Sequence, residues 1–316
     1  MKKTILITGG LGYVGSCLAQ YLSNHTQYKV YLSSRKLEAL PNELMKCTIV
    51  QINNSCSSED LVTKLQNVDI VIHLAALNEI ECLQKPDEAI LVNVLGLHKI
   101  LNASIEARVK KFIYFSTAHV YCSPLQGHIS EKTQTIPQHP YAITHRAAED
   151  YVVAATLQNK IEGVVFRLSN SVGAPIHAGV NRWTLIVNDL CKQIAETKKI
   201  HLKTSGVQLR NFITMNDLCR AVNHFCTFNK VDSSFPVYNL GGPSNMSIYD
   251  MAIKIATVCN KKYGFEPAIA KLESNETALQ LNYDSTKLGD TGFIWNNDME
   301  KEIEDTLSIA FNFFNK

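Results

Sequence analysis

The sequence lacks an excess of either charge and lacks paired cysteines. Its 31 Lys and Arg residues against 29 Asp and Glu residues give a formal net charge of +2. Because no long run of one sign occurs, nucleic acid is not a predicted partner. The 9 cysteines contain no Cys-x-x-Cys pair, so they fit neither a disulfide framework nor a zinc site. We therefore predict no metal and a reducing, cytoplasmic compartment.

Long apolar runs are also missing. Glycines interrupt the apolar stretch behind the first three residues, and no small-residue cleavage site follows, which argues against a secretion signal. We find no run long enough to span a bilayer, and no membrane partner is predicted. With 46% hydrophobic residues in 316, the chain can still bury a large core. This length favours two domains, or one domain with an appended lobe.

Residues 4–15 are a short apolar run followed by glycines, typical of a strand that enters a helix through a tight turn. Glycines let backbone N–H groups approach a pyrophosphate, whose charge the helix N-terminus attracts. The alternative is an ordinary tight turn between strand and helix. The predicted cofactor contacts of this turn are Gly9, Gly12, Tyr13, Val14 and Gly15.

Strand-like runs alternate with helical patterns through the first half of the chain, which is typical of βαβ units and a parallel sheet. We predict an α/β fold with a Rossmann-like, doubly wound parallel sheet in residues 1–172. Residues 173–316 are predicted to form a smaller C-terminal α+β substrate lobe, with segments near 211–240 returning to the first domain. The predicted strands are 5–7, 30–32, 48–52, 70–74, 112–115 and 164–168, and the clearest helices are 94–107 and 142–157.

Several short motifs together resemble the extended short-chain dehydrogenase/reductases, in particular the nucleotide-sugar epimerase/dehydratase family. Beyond the glycine turn, the motifs include Tyr141 at the start of a helix, with His145 one turn later on the same face. The resemblance covers nearly the whole chain and is specific for the family, not for the substrate. Its other segments are 73–76, 93–96, 115–121, 167–173, 210–213 with Asp217, and 238–242.

The resemblance implies a role for each matching residue. Tyr141 would be the acid/base that exchanges a proton with the sugar, and Thr117 the hydroxyl that orients the reacting oxygen. The alternative for Tyr141 is an aromatic residue packed at a helix start, and the alternative for Thr117 is a simple turn residue. Further residues that the resemblance places at the cofactor are Leu74, Ala75, Ala76 and Asn93, and those at the substrate are Asn78, His119, Asn170 and Arg210.

His145 stands where the family has a lysine. The lysine holds the nicotinamide ribose and places a cation near the phenol, whereas imidazole, with a pKa of ~6.5, is mostly neutral at pH 7. A free phenol has a pKa of ~10 and keeps its proton without such a cation. Ketone reduction needs a protonated phenol, so reduction tolerates His145 better than oxidation. We predict Arg146 to be solvated surface, because adjacent helical residues point ~100° apart. The alternative is that His145 marks a protein that binds the cofactor but no longer turns over a substrate.

The end of the second predicted strand carries Ser33, Ser34 and Arg35 and no acid. NAD users commonly place an acid there, while hydroxyls and an arginine accommodate a 2′-phosphate. NADP(H) is therefore favoured over NAD(H), with a solvated basic loop as the alternative. Asn53 falls where the family usually has an Asp near the adenine.

Dehydratases of the family carry an Asp-Glu pair directly after the active Thr, and this chain has Ala118 and His119. An alanine cannot move a proton, so 4,6-dehydration is disfavoured. His119 is either a sugar contact or a satisfied histidine at the pocket edge. His73 is expected to be a core residue.

These observations predict an NAD(P)-dependent enzyme that acts on a nucleotide-diphosphate sugar. Reduction of a keto-sugar at C4, with Tyr141 as the proton donor, is the leading hypothesis. A nucleotide-sugar 4-epimerase is the alternative within enzymes, and a cofactor-binding sensor with weak turnover is the alternative outside them. The resemblance also implies a homodimer formed through helices 94–107 and 142–157.

Overall fold

The computed structural model describes residues 2–37, 39–53, 55–177, 180–273 and 277–315. The strands in chain order are β1 (Thr4–Thr8), β2 (Lys29–Ser34), β3 (Thr48–Gln51), β4 (Ile70–His73), β5 (Lys111–Thr117), β6 (Gly127–Ile129), β7 (Glu162–Leu168), β8 (Asn170–Val172), β9 (Lys199–His201), β10 (Leu209–Thr214), β11 (Val237–Leu240), β12 (Asn245–Ser247), β13 (Ala268–Ala270) and β14 (Leu281–Tyr283). The helices are α1 (Tyr13–His25), α2 (Ser58–Leu65), α3 (Glu79–Gln84), α4 (Pro86–Ala89), α5 (Leu97–Glu106), α6 (Pro140–Leu157), α7 (Ile186–Thr197), α8 (Met215–Thr227), α9 (Ile248–Tyr263), α10 (Thr286–Gly289) and α11 (Met299–Phe314).

The main sheet has seven strands in the order β3-β2-β1-β4-β5-β7-β11. The pairs β2–β3, β1–β2, β1–β4, β4–β5 and β5–β7 are all parallel. β1, β4 and β5 are buried along their whole length, because helices cover both faces of such a sheet. This confirms the predicted doubly wound, Rossmann-like fold.

Alternate residues of the strands face different helices. Leu6, Val71 and Phe112 pack in one cluster with residues of α2, α5 and α6. On the opposite face, Phe166 contacts Phe225 of α8, with ring centroids 5.0 Å apart. Since side chains alternate along a strand, the α6 face at the carboxyl ends of β1, β4 and β5 carries Thr8, His73, Tyr114 and Ser116.

The chain divides into two compact units. Unit 1 comprises residues 1–124, 131–168 and 221–239, and contains the main sheet except the last residue of β11. Unit 2 comprises 125–130, 169–220 and 240–316, and has its own core around α7, α9 and α11. The sequence placed the boundary after 172. The structure places it after Leu168, because β8 pairs with β10 in a separate sheet with β12.

The same sheet explains the segment near 211–240. Phe212 and Ile213 lie in β10 of unit 2, whereas residues 221–239 belong to unit 1 and supply most of β11. A short strand can pair with either sheet, so its apolar pattern alone cannot assign it.

Helix 94–107 begins earlier than its sequence pattern indicated. α4, a π-helical segment Ile90–Gly96 and α5 follow one another without a break. This 21-residue helix, Pro86–Glu106, has mean hydropathy 1.2 and is long and apolar enough to cross a membrane, so the expectation that no such segment exists is wrong. The helix packs against α6, and core helices of soluble proteins meet the same criteria.

Candidate active site

At two positions of the turn between β1 and α1 only glycine fits. Gly9 has a φ of +67°, and a Cβ there would lie 2.9 Å from the Ala75 nitrogen. A Cβ on Gly15 would lie 2.2 Å from the Gly9 carbonyl oxygen. No side chain caps the N-terminus of α1 at Gly12, and Tyr13 and Val14 are its first residues. An uncapped helix N-terminus behind a glycine cradle suits a pyrophosphate.

Thr8 connects this turn to the loop after β4. Its hydroxyl oxygen accepts hydrogen bonds from the N–H groups of Leu74 (3.2 Å) and Ala75 (3.3 Å), and lies 2.9 Å from His73 Nδ1. His73 is buried, and desolvation lowers its pKa to about 4, so the ring is neutral. Residues 74–76, including Ala76, are thereby held beside Gly9, where the dinucleotide was predicted.

Asn93 and Asn78 have structural roles in the same part of unit 1. Asn93 is buried in the π-helical segment, where its Oδ1 accepts from Leu77 N (2.8 Å) and its Nδ2 donates to Thr144 Oγ1 (3.0 Å). Asn78 Oδ1 caps α3. The side chain of Asn93 is thus engaged with the protein and holds the backbone of Leu77 in the loop after β4.

α6 begins with an unusual cap. His139 Nδ1 accepts a hydrogen bond from Tyr141 N (3.1 Å), and Pro140 occupies the first helical position, where its missing N–H is not needed. Tyr141 is half-buried, and its ring meets the His145 ring edge to face at 4.4 Å between centroids. The predicted pairing of these two residues on one helix face is therefore present.

His145 is deeply buried, with 4% of its surface exposed. Tyr114 on β5 places its hydroxyl 2.7 Å from His145 Nδ1, while Nε2 has no hydrogen-bond partner among the described residues. Burial, and to a smaller extent the nearby His73, lowers the pKa of His145 to about 3. His145 therefore contributes a neutral ring beside Tyr141.

Arg146 supplies no charge to this site. It forms ion pairs with Asp150 and Glu149, and its Nε donates to Thr135 Oγ1 at 3.0 Å. The side chain of Arg146 is 30% exposed, so it is partly buried and ion-paired rather than the solvated surface residue that was predicted.

The end of β5 carries the second set of hydroxyl groups. Thr117 is buried and its Oγ1 accepts from His119 N (3.3 Å), which leaves the hydroxyl hydrogen for an oxygen of a ligand. Ser116 is buried, and its Oγ has no partner among the described residues. Ala118 is buried and His119 is exposed in the turn that follows.

The loop after β2 is polar and basic. Ser33 and Ser34 are partly buried at the end of the strand, and the side chain of Arg35 is exposed. Ser34 Oγ accepts from Lys36 N (3.3 Å), and Asn53 Nδ2 lies 3.5 Å from the Arg35 carbonyl oxygen. Backbone and amide contacts thus shape the loop, and the Arg35 guanidinium extends into solvent.

The remaining two predicted substrate residues belong to unit 2. Asn170 Nδ2 donates to the Asn211 carbonyl oxygen (2.9 Å). Arg210 is partly buried, and desolvation lowers its pKa. Among the residues that the structure describes, no carboxylate forms an ion pair with Arg210, so the alternative of a rim arginine paired with an acid is not supported.

Tyr114 and Ser116 were missed by the sequence analysis. Their signal was polar residues at alternate positions at the carboxyl end of an otherwise apolar strand, where open α/β sheets bind ligands. Within the described ranges, no group of three or more His, Cys, Asp or Glu side chains is arranged to hold a metal ion.

Known proteins resemble this chain over most of its length. The model of the NAD dependent epimerase/dehydratase family matches residues 5–241. A dTDP-D-glucose 4,6-dehydratase of Homo sapiens is 30% identical over 262 residues, which cover 79% of this chain and 72% of that protein.

Solved structures show the same fold. UDP-glucuronic acid 4-epimerase from Bacillus cereus, in complex with UDP-glucuronic acid and NAD, has a TM-score of 0.80 at 23% identity, covering 98% of this chain and 100% of that one. RMD from Pseudomonas aeruginosa complexed with NADPH has a TM-score of 0.75 at 20% identity, covering 99% and 98%. The chain belongs to the NAD dependent epimerase/dehydratase family.

Proposed function

We propose that this protein is an NAD(P)-dependent oxidoreductase that reduces a keto-sugar of a nucleotide-diphosphate sugar at C4, with Tyr141 as the proton donor. The observation that carries the proposal is the neutral His145 ring packed against Tyr141, where the family has a lysine. A nicotinamide dinucleotide, when bound, supplies the hydride transfer. Its pyrophosphate fits the cradle of Gly9, Gly12 and Gly15 at the N-terminus of α1.

Tyr141 acts as a general acid in this proposal. A phenol, with a pKa of ~10, keeps its proton at neutral pH, and a protonated phenol is what a forming alkoxide needs. The buried Thr117 hydroxyl orients the same oxygen. Phenol ionisation, which oxidation of an alcohol requires, gains nothing from the neutral His145 ring.

Substrate-binding residues are proposed for each unit separately. Arg210 is partly buried and free of carboxylate ion pairs in the described chain, and a planar guanidinium suits the two charges of a diphosphate. Asn170 is a further polar group proposed for the substrate in unit 2. Within unit 1, Asn78 and the exposed His119 are proposed as substrate contacts.

A nucleotide-sugar 4-epimerase is the second candidate. Its support is the likeness to a UDP-glucuronic acid 4-epimerase in fold and the presence of both Tyr141 and Thr117. An epimerase oxidises and then reduces the same carbon, so it needs the oxidative direction that the neutral site favours least. Dehydration is disfavoured because buried Ala118 offers no proton-transferring group after Thr117.

The experiment is incubation of the purified protein with NADPH or NADH and nucleotide-diphospho-4-keto-sugars. Net consumption of reduced cofactor supports the reductase. Isomerisation of a nucleotide sugar without net redox change supports the epimerase instead. Binding of cofactor with no turnover of any sugar supports a sensor. His145→Lys separates a sensor from a weakened enzyme, because a cation beside the phenol should raise alcohol oxidation at least tenfold in an enzyme and change nothing in a sensor.

NADP(H) is the favoured cofactor. Its support is the pair Ser33 and Ser34 beside Arg35, with no acid at the end of β2. Calorimetry with NADPH and NADH tests this preference, and Arg35→Asp should reverse it. Equal dissociation constants for the two cofactors in the unmodified protein contradict the preference.

A homodimer and a cytoplasmic location complete the proposal. Leu91, Leu95, Ile143 and Leu157 are exposed apolar side chains on the two packed helices 86–106 and α6, and a second copy would cover them. The 9 cysteines are all free, which suits a reducing compartment. Analytical ultracentrifugation of the protein and of Leu91→Asp tests the dimer. A monomeric unmodified protein contradicts it.

A further inference from the structure

Tyr114 and His145 form a buried pair whose hydrogen bond has one favoured direction. The Tyr114 hydroxyl lies 2.7 Å from His145 Nδ1, and the two rings are 5.9 Å apart between centroids. The next neighbour of the hydroxyl is the His145 carbonyl oxygen at 3.5 Å. That distance is longer than an O–H···O hydrogen bond normally is.

The short contact determines which ring nitrogen carries the proton. A neutral imidazole has one N–H and one lone pair. If Nδ1 donated to Tyr114, the phenol hydrogen would be left with the distant carbonyl oxygen. If Tyr114 donates to Nδ1, its hydrogen is well placed and Nε2 becomes the N–H. Burial raises the pKa of Tyr114 well above the usual value, so this hydroxyl keeps its hydrogen.

The other ring nitrogen, Nε2, carries the hydrogen in this form of the ring. His145 Nε2 is buried and has no partner among the described residues. A buried donor left without an acceptor costs about 1–3 kcal/mol. Because the same ring packs against Tyr141, an acceptor at Nε2 belongs to whatever binds beside Tyr141.

We infer that Tyr114 is a positioning residue, whose hydroxyl holds His145 in the Nε2–H form and so presents an uncharged hydrogen-bond donor to a hydroxyl oxygen of the bound dinucleotide. The part of this inference that concerns the dinucleotide rests on the proposed function. In this arrangement His145 neither gives nor takes a proton, and Tyr141 is the sole proton donor. Tyr114 and His145 together replace the cationic donor of the family with a neutral one.

The groups that face His145 are consistent with a fixed neutral ring. Tyr114 reaches it from β5, His73 lies nearby on β4, and Tyr141 and Glu149 are on its own helix. Glu149 is neutralised by Arg167 at 2.8 Å. No carboxylate of the described residues forms an ion pair with His145. The Phe115 backbone favours the charged ring, but burial outweighs it and the pKa stays low.

The test is the tautomer of His145 in the full-length protein, read by long-range proton–nitrogen NMR of histidines labelled with nitrogen-15. His145→Gln identifies the resonance by its loss. We expect a ring protonated at Nε2 that does not titrate between about pH 5 and 8. In Tyr114→Phe, which keeps the ring, both tautomers should appear, and calorimetry should show a three- to tenfold weaker binding of the preferred cofactor, about the loss of one hydrogen bond.

Tyr121→Phe is the matched control. Its hydroxyl is equally buried and donates to Asn239 Oδ1 (2.6 Å), away from His145. This variant should leave the tautomer and the cofactor dissociation constant unchanged.

A wild-type ring protonated at Nδ1, or a Tyr114→Phe protein with the wild-type tautomer, overturns the inference. The wild-type spectrum decides the matter alone if Tyr114→Phe does not fold. If neither NADPH nor NADH binds the wild-type protein, the proposed function fails, while the tautomer in the free protein still decides the role of Tyr114.

Discussion

His145 and Glu149 lie one turn apart on α6, and both are buried, but their surroundings differ. Glu149, 1% exposed, accepts from Arg167 Nε (3.1 Å) and Nη2 (2.8 Å), and Arg167 Nη1 donates to the Glu131 carbonyl oxygen (3.2 Å). The carboxylate therefore has a charged partner. Among the described residues, His145 has a hydrogen-bond partner at Nδ1, none at Nε2 and no ion pair.

This difference indicates that one turn of α6 has a structural role and the neighbouring turn a functional one. A buried charge that is paired and hydrogen-bonded stabilises the fold's arrangement and has no capacity left for a ligand. A buried polar atom without a partner in the free protein is either a cost to stability or a binding group. The Glu149 turn of α6 is accordingly structural, and the His145 turn faces the candidate site.

The largest effect is expected at the functional turn. Tyr141→Phe should lower the rate of sugar reduction by about 10²–10⁴, because it removes the general acid. The free energy of unfolding should stay within about 0.5 kcal/mol of the wild-type value, since the ring is half-buried and is retained. Steady-state kinetics and urea unfolding measure the two quantities. Retention of more than a tenth of the wild-type rate would exclude Tyr141 as the proton donor.

At the structural turn, Glu149→Gln should decrease the free energy of unfolding by about 3–5 kcal/mol, because Arg167 would remain buried without its counter-charge. Urea unfolding checks this value. The control is the double variant Glu149→Leu with Arg167→Met, which removes both charges and should recover most of the loss. A loss below about 1 kcal/mol in the single variant would mean that solvent reaches Arg167.

The pH dependence of stability sharpens the comparison further. The pKa of His145 is about 3 in the folded protein and ~6.5 when unfolded, so the unfolded chain binds the extra proton first. Stability is therefore full above pH ~6.5 and falls as the pH drops below it. By pH 5, the wild-type protein should lose about 2 kcal/mol more than His145→Gln.

The comparison with His145→Gln removes contributions common to both proteins. Burial lowers the pKa of His73 to about 4, with the same sign. Burial raises the pKa of Glu302 to about 7, with the opposite sign, because its folded form favours the proton. Equal losses in the wild-type protein and His145→Gln would show that His145 is hydrated rather than buried.

The smallest effect is expected at the start of α6. His139→Ala should cost about 0.5–2 kcal/mol of unfolding free energy, because Tyr141 N loses its acceptor. His139→Asn supplies another good cap and should restore most of that stability. Thermal unfolding of the three proteins measures the effect, and an unchanged midpoint in His139→Ala would remove His139 from the cap.

The predictability of the site depended on how far along the chain each contact reaches. The glycine turn and the Tyr141 and His145 face follow from local spacing. The partner of His145 is 31 positions away on β5, and strand pairing places it there. Asn93 at the cofactor stays a prediction. Its side-chain contacts with Leu77 and Thr144 arise in a π-helical segment, which a regular helical pattern does not anticipate.

The sequence by itself determined the doubly wound sheet, the glycine cradle and the absence of a lysine after Tyr141. Those features depend on residue type and on apolar residues that repeat every two positions in strands and about every 3.6 positions in helices, and both can be read from the linear chain. Only the tertiary structure decided that the pKa of His145 falls to about 3, which of its nitrogens is bonded and that β8 pairs with β10. Burial and long-range pairing set these outcomes, because desolvation and hydrogen-bond partners exist only after distant segments have come together.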